Sequence, residues 1–309
     1  MIGQESFARR IAQHRAVVID GGLATQLEAQ GCDIDNPLWS ASMIESNPQA
    51  IVDAHRAYLD AGAEIIITAS YQTTAADLVA CSVELAIQSR DEYSRDNPNQ
   101  DRLPLIAGSA GPYGAVMGDG SEYTGDYDVG IEELRDFHRS RLGILDDSGV
   151  DLIACETIPS FDEARVLCEL LEDVRHPVWV SFSCRDECRI SDGTPIADAA
   201  ALFRDHPRVL AVGINCTRPQ FVAPLIGQLR EAIPEIAIVV YPNSGEDYNA
   251  GSKTWSGTVT ALDWANAARQ WADAGATIIG GCCRTGPEHI RAISEQAYSQ
   301  ADWDSTERR

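Results

Sequence analysis

Short apolar runs rich in β-branched residues recur along the chain at residues 16–20, 63–68, 103–108, 151–155, 178–183, 209–214, 236–241 and 276–280. The spacing leaves room for a helix between successive runs, and polar or Gly-containing sequence follows their ends. Residues 48–61 set Ile51, Val52, Tyr58 and Leu59 at helical spacing, and residues 132–147 and 262–274 are amphipathic in the same way. An apolar strand followed by an amphipathic helix is the unit of a parallel sheet covered by helices. Eight such units close a barrel. The pattern therefore predicts an α/β protein, a single (β/α)8 barrel of TIM type with residues 1–309 as one domain. The Ala-Gly-Ala-x-Ile-Ile sequence at residues 61–66 and 274–279 is a helix-ending glycine before a strand start, not a duplication.

Barrel active sites are built where strands end, on the loops that lead into the helices. Asp20, Thr68, Glu156, Cys216, Asn243, Cys282 and Cys283 all stand where an apolar run stops, so the predicted fold gathers them at one mouth. The longest irregular stretches, residues 113–130, 185–197 and 244–258, follow strand ends as well.

Composition narrows the choice of partner. At 309 residues and 44% hydrophobic content the chain can bury a large core. A formal charge of −23, with Lys253 the single lysine, disfavours nucleic acid and anionic membranes. The same excess keeps a protein soluble, and it favours a cationic small molecule. Residues 1–16 lack an apolar signal region, and no run approaches the ~18 residues of a membrane span. A soluble, cytoplasmic protein is expected. Nine cysteines, an odd number, without a secretory signal point to reduced thiols.

The last apolar run opens into Gly280-Gly281-Cys282-Cys283. Adjacent cysteines can hardly form a disulfide with each other, but two thiolates on a glycine-supported turn can reach one soft metal ion. Two small buried hydrophobes are the rival reading. Cys216, at the end of the run 209–214, supplies a third thiol on the same rim. Three thiolates at roughly 2.3 Å from one zinc leave a fourth tetrahedral position open, the catalytic arrangement. Zinc with three thiolates carries a net negative charge, so it is a poor Lewis acid toward carbonyls, yet it still deprotonates a thiol that binds to it. The expected chemistry is attack by a substrate thiol.

Cys184 and Cys188 form a rival C-x3-C pair, with no second pair beside it. Cys32, Cys81, Cys155 and Cys168 lie in apolar or helical stretches and read as packing residues. His55 and His138 fall in helical segments, His176 and His206 precede prolines, and His289 lies past the last strand; they read as surface or helix residues, without metal-ligand spacing to the thiols. Asp20 and Glu156 suit the ammonium group of an amino-acid substrate. Asp20 could instead serve its turn, and Glu156 could act as a general acid or base. The amides of Gly21 and Gly22 are open to a carboxylate, and Asn243 fits either a substrate contact or an Asx turn.

Taken together, Asp20-Gly21-Gly22, Thr68-Ala69-Ser70-Tyr71-Gln72, residues 108–114, Cys155-Glu156-Thr157, Gly213-Ile214-Asn215-Cys216, residues 241–245 and Gly280-Gly281-Cys282-Cys283-Arg284 resemble the zinc-dependent homocysteine S-methyltransferase family, in the family's order and over nearly the whole chain. The resemblance implies a (β/α)8 barrel with zinc on Cys216, Cys282 and Cys283 and L-homocysteine joined to it through sulfur. The amino group of homocysteine would meet Asp20 and Glu156, with Gly21, Gly22, Thr68, Ser70 and Asn243 completing the substrate site. Residues 36–41, 119–127 and 252–255 look most like compact enzymes whose methyl donor is S-methylmethionine or S-adenosylmethionine. The length leaves no room for the folate and cobalamin modules of cobalamin-dependent relatives, and the C-terminal extension of betaine-using relatives is missing. Tyr71, Tyr123, Tyr127 and Trp255 are candidates for contact with a sulfonium cation, or for lid packing. The alternatives are another, betaine-like donor, a non-catalytic zinc-stabilised barrel, and a metal-free redox pair at Cys282 and Cys283.

Overall fold

The parallel strands predicted by the apolar runs form in order: β1 (Val17–Val18), β2 (Ile65–Ile67), β3 (Leu105–Ala110), β4 (Leu152–Ile158), β5 (Val178–Phe182), β6 (Val209–Asn215) and β7 (Ala237–Tyr241). A short antiparallel hairpin, β8 (Asp247–Asn249) and β9 (Thr254–Ser256), precedes the last barrel strand, β10 (Ile278–Ile279). The computed structural model describes residues 2–12, 16–34, 42–100, 102–245, 247–249, 254–256 and 260–306. The strand order is β1-β10-β7-β6-β5-β4-β3-β2, every neighbour parallel. A parallel bridge between Ile19 and Ile65 joins the two ends, supported by Glu64 N to Val18 O at 2.8 Å and Asp20 N to Ile65 O at 3.1 Å. The sheet is thereby a closed ring, the expected TIM-type barrel.

Strand parity decides what enters the barrel. Leu105 and Ala107, Leu152 and Ala154, and Val239 and Tyr241 pack in the interior cluster with Trp179, whereas Ile106, Ile153, Cys155 and Val240 belong to the layer under the helices. Because side chains alternate between faces, the inward rows continue upward into Ser109, Glu156, Ser181 and Asn215. Each row is apolar below and polar at its C-terminal end. Cys155 is one step out of phase with Glu156; it is fully buried, and burial pushes its thiol up to about 12, as suits a packing residue.

The opposite end is plugged. The helix Ile2–Ile11 sends Phe7 into the interior cluster, its ring 6.2 Å from that of Trp179. Arg10, buried beside it, donates to the carbonyls of Glu64, at 3.1 Å, and Leu103.

Two buried charges fix the loops at the open end. Arg141, from the helix Ile131–Asp147, donates to the carbonyls of Gly111 at 2.8 Å, Ser70 at 3.0 Å and Tyr71 at 2.9 Å, and so ties the loops after β2 and β3 together. Glu163, fully buried in the helix Phe161–Leu170, accepts the Tyr113 N–H at 2.7 Å and the Tyr127 hydroxyl, and pairs with His138 Nε2 at 2.7 Å. The long segment after β3 is thereby pinned at both ends. His138 and His55 are helix residues as expected, but both are wholly buried rather than at the surface.

Candidate active site

Cys216 stands at the end of β6, and Cys282 and Cys283 follow β10; β7, paired with both strands, lies between them. The three sulfur atoms lie within 4.8 Å of one another and form the only such group of potential metal ligands among the described residues. Cys184 and Cys188 form no such group; burial raises the Cys184 thiol, and Cys188 Sγ sits 3.3 Å from Asp186 Oδ1.

The end of β7 aims the thiols. The Cys282 N–H donates to Pro242 O at 2.8 Å, the Cys283 N–H to Asn243 Oδ1 at 3.3 Å, and the Ser244 N–H to Cys283 O at 3.0 Å. Asn243 thus serves the backbone of Cys283. Left-handed backbone falls on Cys216, at φ 46°, and on Arg284, at φ 63°, not on Gly280 or Gly281. The two glycines serve close approach instead: a Cβ on Gly280 would lie 2.3 Å from the Ile19 side chain, and one on Gly281 would lie 2.2 Å from Thr285 Oγ1. Hydrogen bonds from Cys216 and then Cys282 hold the Cys283 thiol low, while the bonds of Cys216 to Cys282 and Cys283 push its own thiol up. The Tyr123 hydroxyl reaches the Cys283 sulfur.

Two carboxylates border the thiols. Asp20, 3% exposed, accepts the Ile67 N–H on Oδ2 at 2.8 Å, while its buried Oδ1 has no hydrogen-bond partner among the described residues. Burial, then the charge of Glu156, raises its carboxyl well above the usual range. Glu156, 7% exposed, is raised by burial to about 7, with the hydrogen bond from Ser109 opposing. The Ser109 hydroxyl donates to Glu156 Oε1. Thr68 and Ser70 stand behind that contact: Ser109 N donates to Thr68 Oγ1 at 2.9 Å, Ser70 Oγ donates to Ser109 O at 2.8 Å, and the two hydroxyls meet at 2.8 Å. Since the Ser70 proton is committed to Ser109 O, Thr68 is the donor to Ser70.

The Gly22 N–H donates to Thr285 O at 3.0 Å, so its amide is engaged within the chain. Glu122, on the turn Ser121–Tyr123, keeps one buried carboxylate oxygen without a hydrogen-bond partner among the described residues. The charge of Cys283 reaches this group, and burial first of all raises it. Tyr127 is bound to Glu163 and stacks at 5.6 Å from Tyr113, so it anchors the segment instead of facing the thiols. Residues 36–41 and 252–253 and the Trp255 side chain lie outside the described residues.

A model of the family described as homocysteine S-methyltransferase matches residues 17–297. The chain belongs to the homocysteine S-methyltransferase family. Homocysteine S-methyltransferase YbgG of Bacillus subtilis is 43% identical over 299 residues, 92% of this chain and 95% of that protein. The homocysteine S-methyltransferase of Escherichia coli is 44% identical over 297 residues, 91% and 95% of the two chains. The metallated form of the Escherichia coli homocysteine methyltransferase MmuM superposes with a TM-score of 0.83 at 40% identity, over 95% of this chain and 99% of that one.

Ser109, Glu122 and Tyr241 stand beside these groups, and strand ends alone did not single them out. Ser109 and Tyr241 were legible from parity, two steps along the inward rows from Ala107 and Val239. Glu122 had no such signal, because its place depends on how the segment after β3 folds back over the mouth. Among the described residues no helix is long and apolar enough to cross a membrane.

Proposed function

We propose that the protein transfers a methyl group from a sulfonium donor, S-methylmethionine or S-adenosylmethionine, to the sulfur of L-homocysteine, forming methionine. The observation that carries this reading is the trio Cys216, Cys282 and Cys283 beside two buried carboxylates, one of which keeps an oxygen with no partner among the described residues. Three soft sulfur donors suit a zinc ion and leave one coordination position for a substrate thiol. When bound there, zinc supplies the acidity that keeps the homocysteine sulfur a thiolate.

The chain's own residues do the rest. Asp20 Oδ1 and the Glu156 carboxylate receive the substrate ammonium, with Ser109 holding Glu156 in place. With Gly22 engaged on Thr285, Gly21 offers the open amide for the substrate carboxylate. Glu122, Tyr71 and Tyr123 face the donor, where a carboxylate and aromatic rings favour a cation. The homocysteine sulfur donates an electron pair to the methyl carbon as the bond from that carbon to the sulfonium breaks. The bonding pair returns to the donor sulfur, which leaves neutral, and the thiol proton goes to solvent. S-methylmethionine would leave as a second methionine. Fixing nucleophile and electrophile in line, away from water, lowers the barrier with no acid or base in the transfer step.

The test is direct. Purified protein with homocysteine and each sulfonium donor should form methionine, Cys282→Ser should lose both metal and activity, and a chelator should stop turnover reversibly. Failure to form methionine with either donor would sink the reading, and a metal-free Cys282→Ser variant that stays active would remove zinc from it.

A further inference from the structure

Thr157, directly after Glu156, has φ 61°, a region that β-branched residues avoid. Such a backbone persists only where its surroundings over-determine it. Here one side chain does so. Asn215 Oδ1 accepts the Thr157 N–H at 2.7 Å, and Asn215 Nδ2 donates to Thr157 Oγ1 at 2.7 Å. A backbone N–H can only donate, so the orientation of the amide is fixed. The same Oδ1 accepts the Ser181 hydroxyl at 2.9 Å, and all three residues are buried.

The reach of this contact is unusual. Asn215 ends β6 and Thr157 lies in β4, strands that do not pair because β5 stands between them. Ser181 is the β5 member of the bridge. With its proton committed to Asn215, Ser181 accepts from the Tyr241 hydroxyl of β7 at 2.6 Å, and Trp179 Nε1 donates to Tyr241 at 3.1 Å. The N–H that Asn215 holds belongs to the peptide joining Glu156 to Thr157, so the amide fixes the peptide plane next to the Glu156 side chain. Asn215 also directly precedes Cys216, itself left-handed.

We propose that Asn215 is a positioning residue that reaches across β5 to hold the Glu156–Thr157 peptide, and thereby aims the Glu156 carboxylate at the ammonium group of homocysteine. This rests on the reading of Glu156 given above. The inference separates from a general role in stability because glycine adopts the left-handed conformation without help.

Four proteins test it: wild type, Asn215→Ala, Thr157→Gly and the double variant, each brought to full metal content by elemental analysis and compared by melting temperature and by KM for homocysteine and for the donor. Asn215→Ala should raise the homocysteine KM by about tenfold, the scale of one strained backbone released, and move the donor KM less than about twofold. Thr157→Gly should stay near wild type, and in that background the alanine substitution should cost less than about threefold. A homocysteine KM that is unchanged in Asn215→Ala, or that rises equally in both backgrounds, overturns the inference while wild-type activity preserves the function. Wild-type protein that binds no homocysteine overturns both. If Asn215→Ala does not fold, Thr157→Val against Thr157→Gly decides: valine should raise the homocysteine KM and glycine should not, and equal effects overturn the inference.

Discussion

A Cβ placed on Gly22 would lie 2.5 Å from the carbonyl oxygen of Cys282. The loop after β1 and the thiol-bearing loop after β10 are therefore in backbone contact, and the Tyr58 hydroxyl reinforces it by reaching Gly22 O at 2.8 Å and Thr285 O at 3.0 Å. Gly22→Ala would press on the Cys282 carbonyl and, at 2.7 Å, on Thr25 Oγ1. Overpacking of this kind costs about 1–3 kcal/mol, and displacement of Cys282 should leave the protein with less than one metal ion per chain. Gly130→Ala, where a Cβ meets nothing within 4 Å, is the control. Elemental analysis and thermal melts read both, and full metal content in Gly22→Ala would show that the contact does not set the thiol geometry.

The raised carboxyl of Glu156 gives a pH dependence with a definite sign. In the free protein this group has been pushed up to about 7, so below that pH it is mostly neutral. An ammonium ligand binds the ionised form, so affinity should fall as pH drops through 7, by about tenfold per pH unit for each proton that must leave. Above 7 the Glu156 contribution should flatten. Methionine is the right probe for calorimetry, since it has the ammonium group but no thiol to titrate. Glu156→Gln should remove one proton from the slope. Ser109→Ala, which deletes a hydrogen bond that lowers the Glu156 carboxyl, should move the break to higher pH. A methionine affinity that is flat from pH 5 to 8 would rule out Glu156 as the ammonium partner.

Much of this site was legible before the fold was known, and the reason is parity. Every strand run ended within a few residues of its predicted position because a strand buried on both faces has an unmistakable apolar stretch. Strand ends then located Asp20, Glu156 and the three cysteines. What strand ends could not supply was direction: Asn243 fits a substrate contact or an Asx turn, and its Oδ1 accepts the Cys283 N–H. The glycines before Cys282 likewise read as turn formers, and their reason is the nearness of Ile19 and Thr285. Arg141 and Glu163 were invisible because helix residues of ordinary amphipathic sequence gave no hint that their charges point inward to bind loops.

Glu122 should govern the donor alone. One of its carboxylate oxygens is buried with no hydrogen-bond partner among the described residues, in a turn whose next residue, Tyr123, reaches Cys283. An uncompensated buried charge is costly unless a counter-charge arrives, and a sulfonium carries one. Glu122→Gln keeps the shape and removes the charge. It should raise the donor KM by about tenfold, the loss of one charge-assisted contact, and leave the homocysteine KM within about twofold. Equal effects on both substrates, or on neither, would exclude Glu122 from donor recognition.

The surface charge predicts how the fold responds to salt. With 47 acidic residues against 24 basic ones, self-repulsion acts on the folded chain. Salt also weakens the attractive pairs, such as Arg56 with Asp60 and Asp96 and Arg175 with Asp147. Exposed pairs of that kind contribute about 0–1 kcal/mol each, so relief of repulsion should win. The melting temperature should rise on adding NaCl and level off near 1 M, where the screening length has shrunk to about 3 Å. A rise that continues linearly beyond that point would indicate salting-out of apolar surface, and a melting temperature that falls with salt would show that the ion pairs outweigh the repulsion.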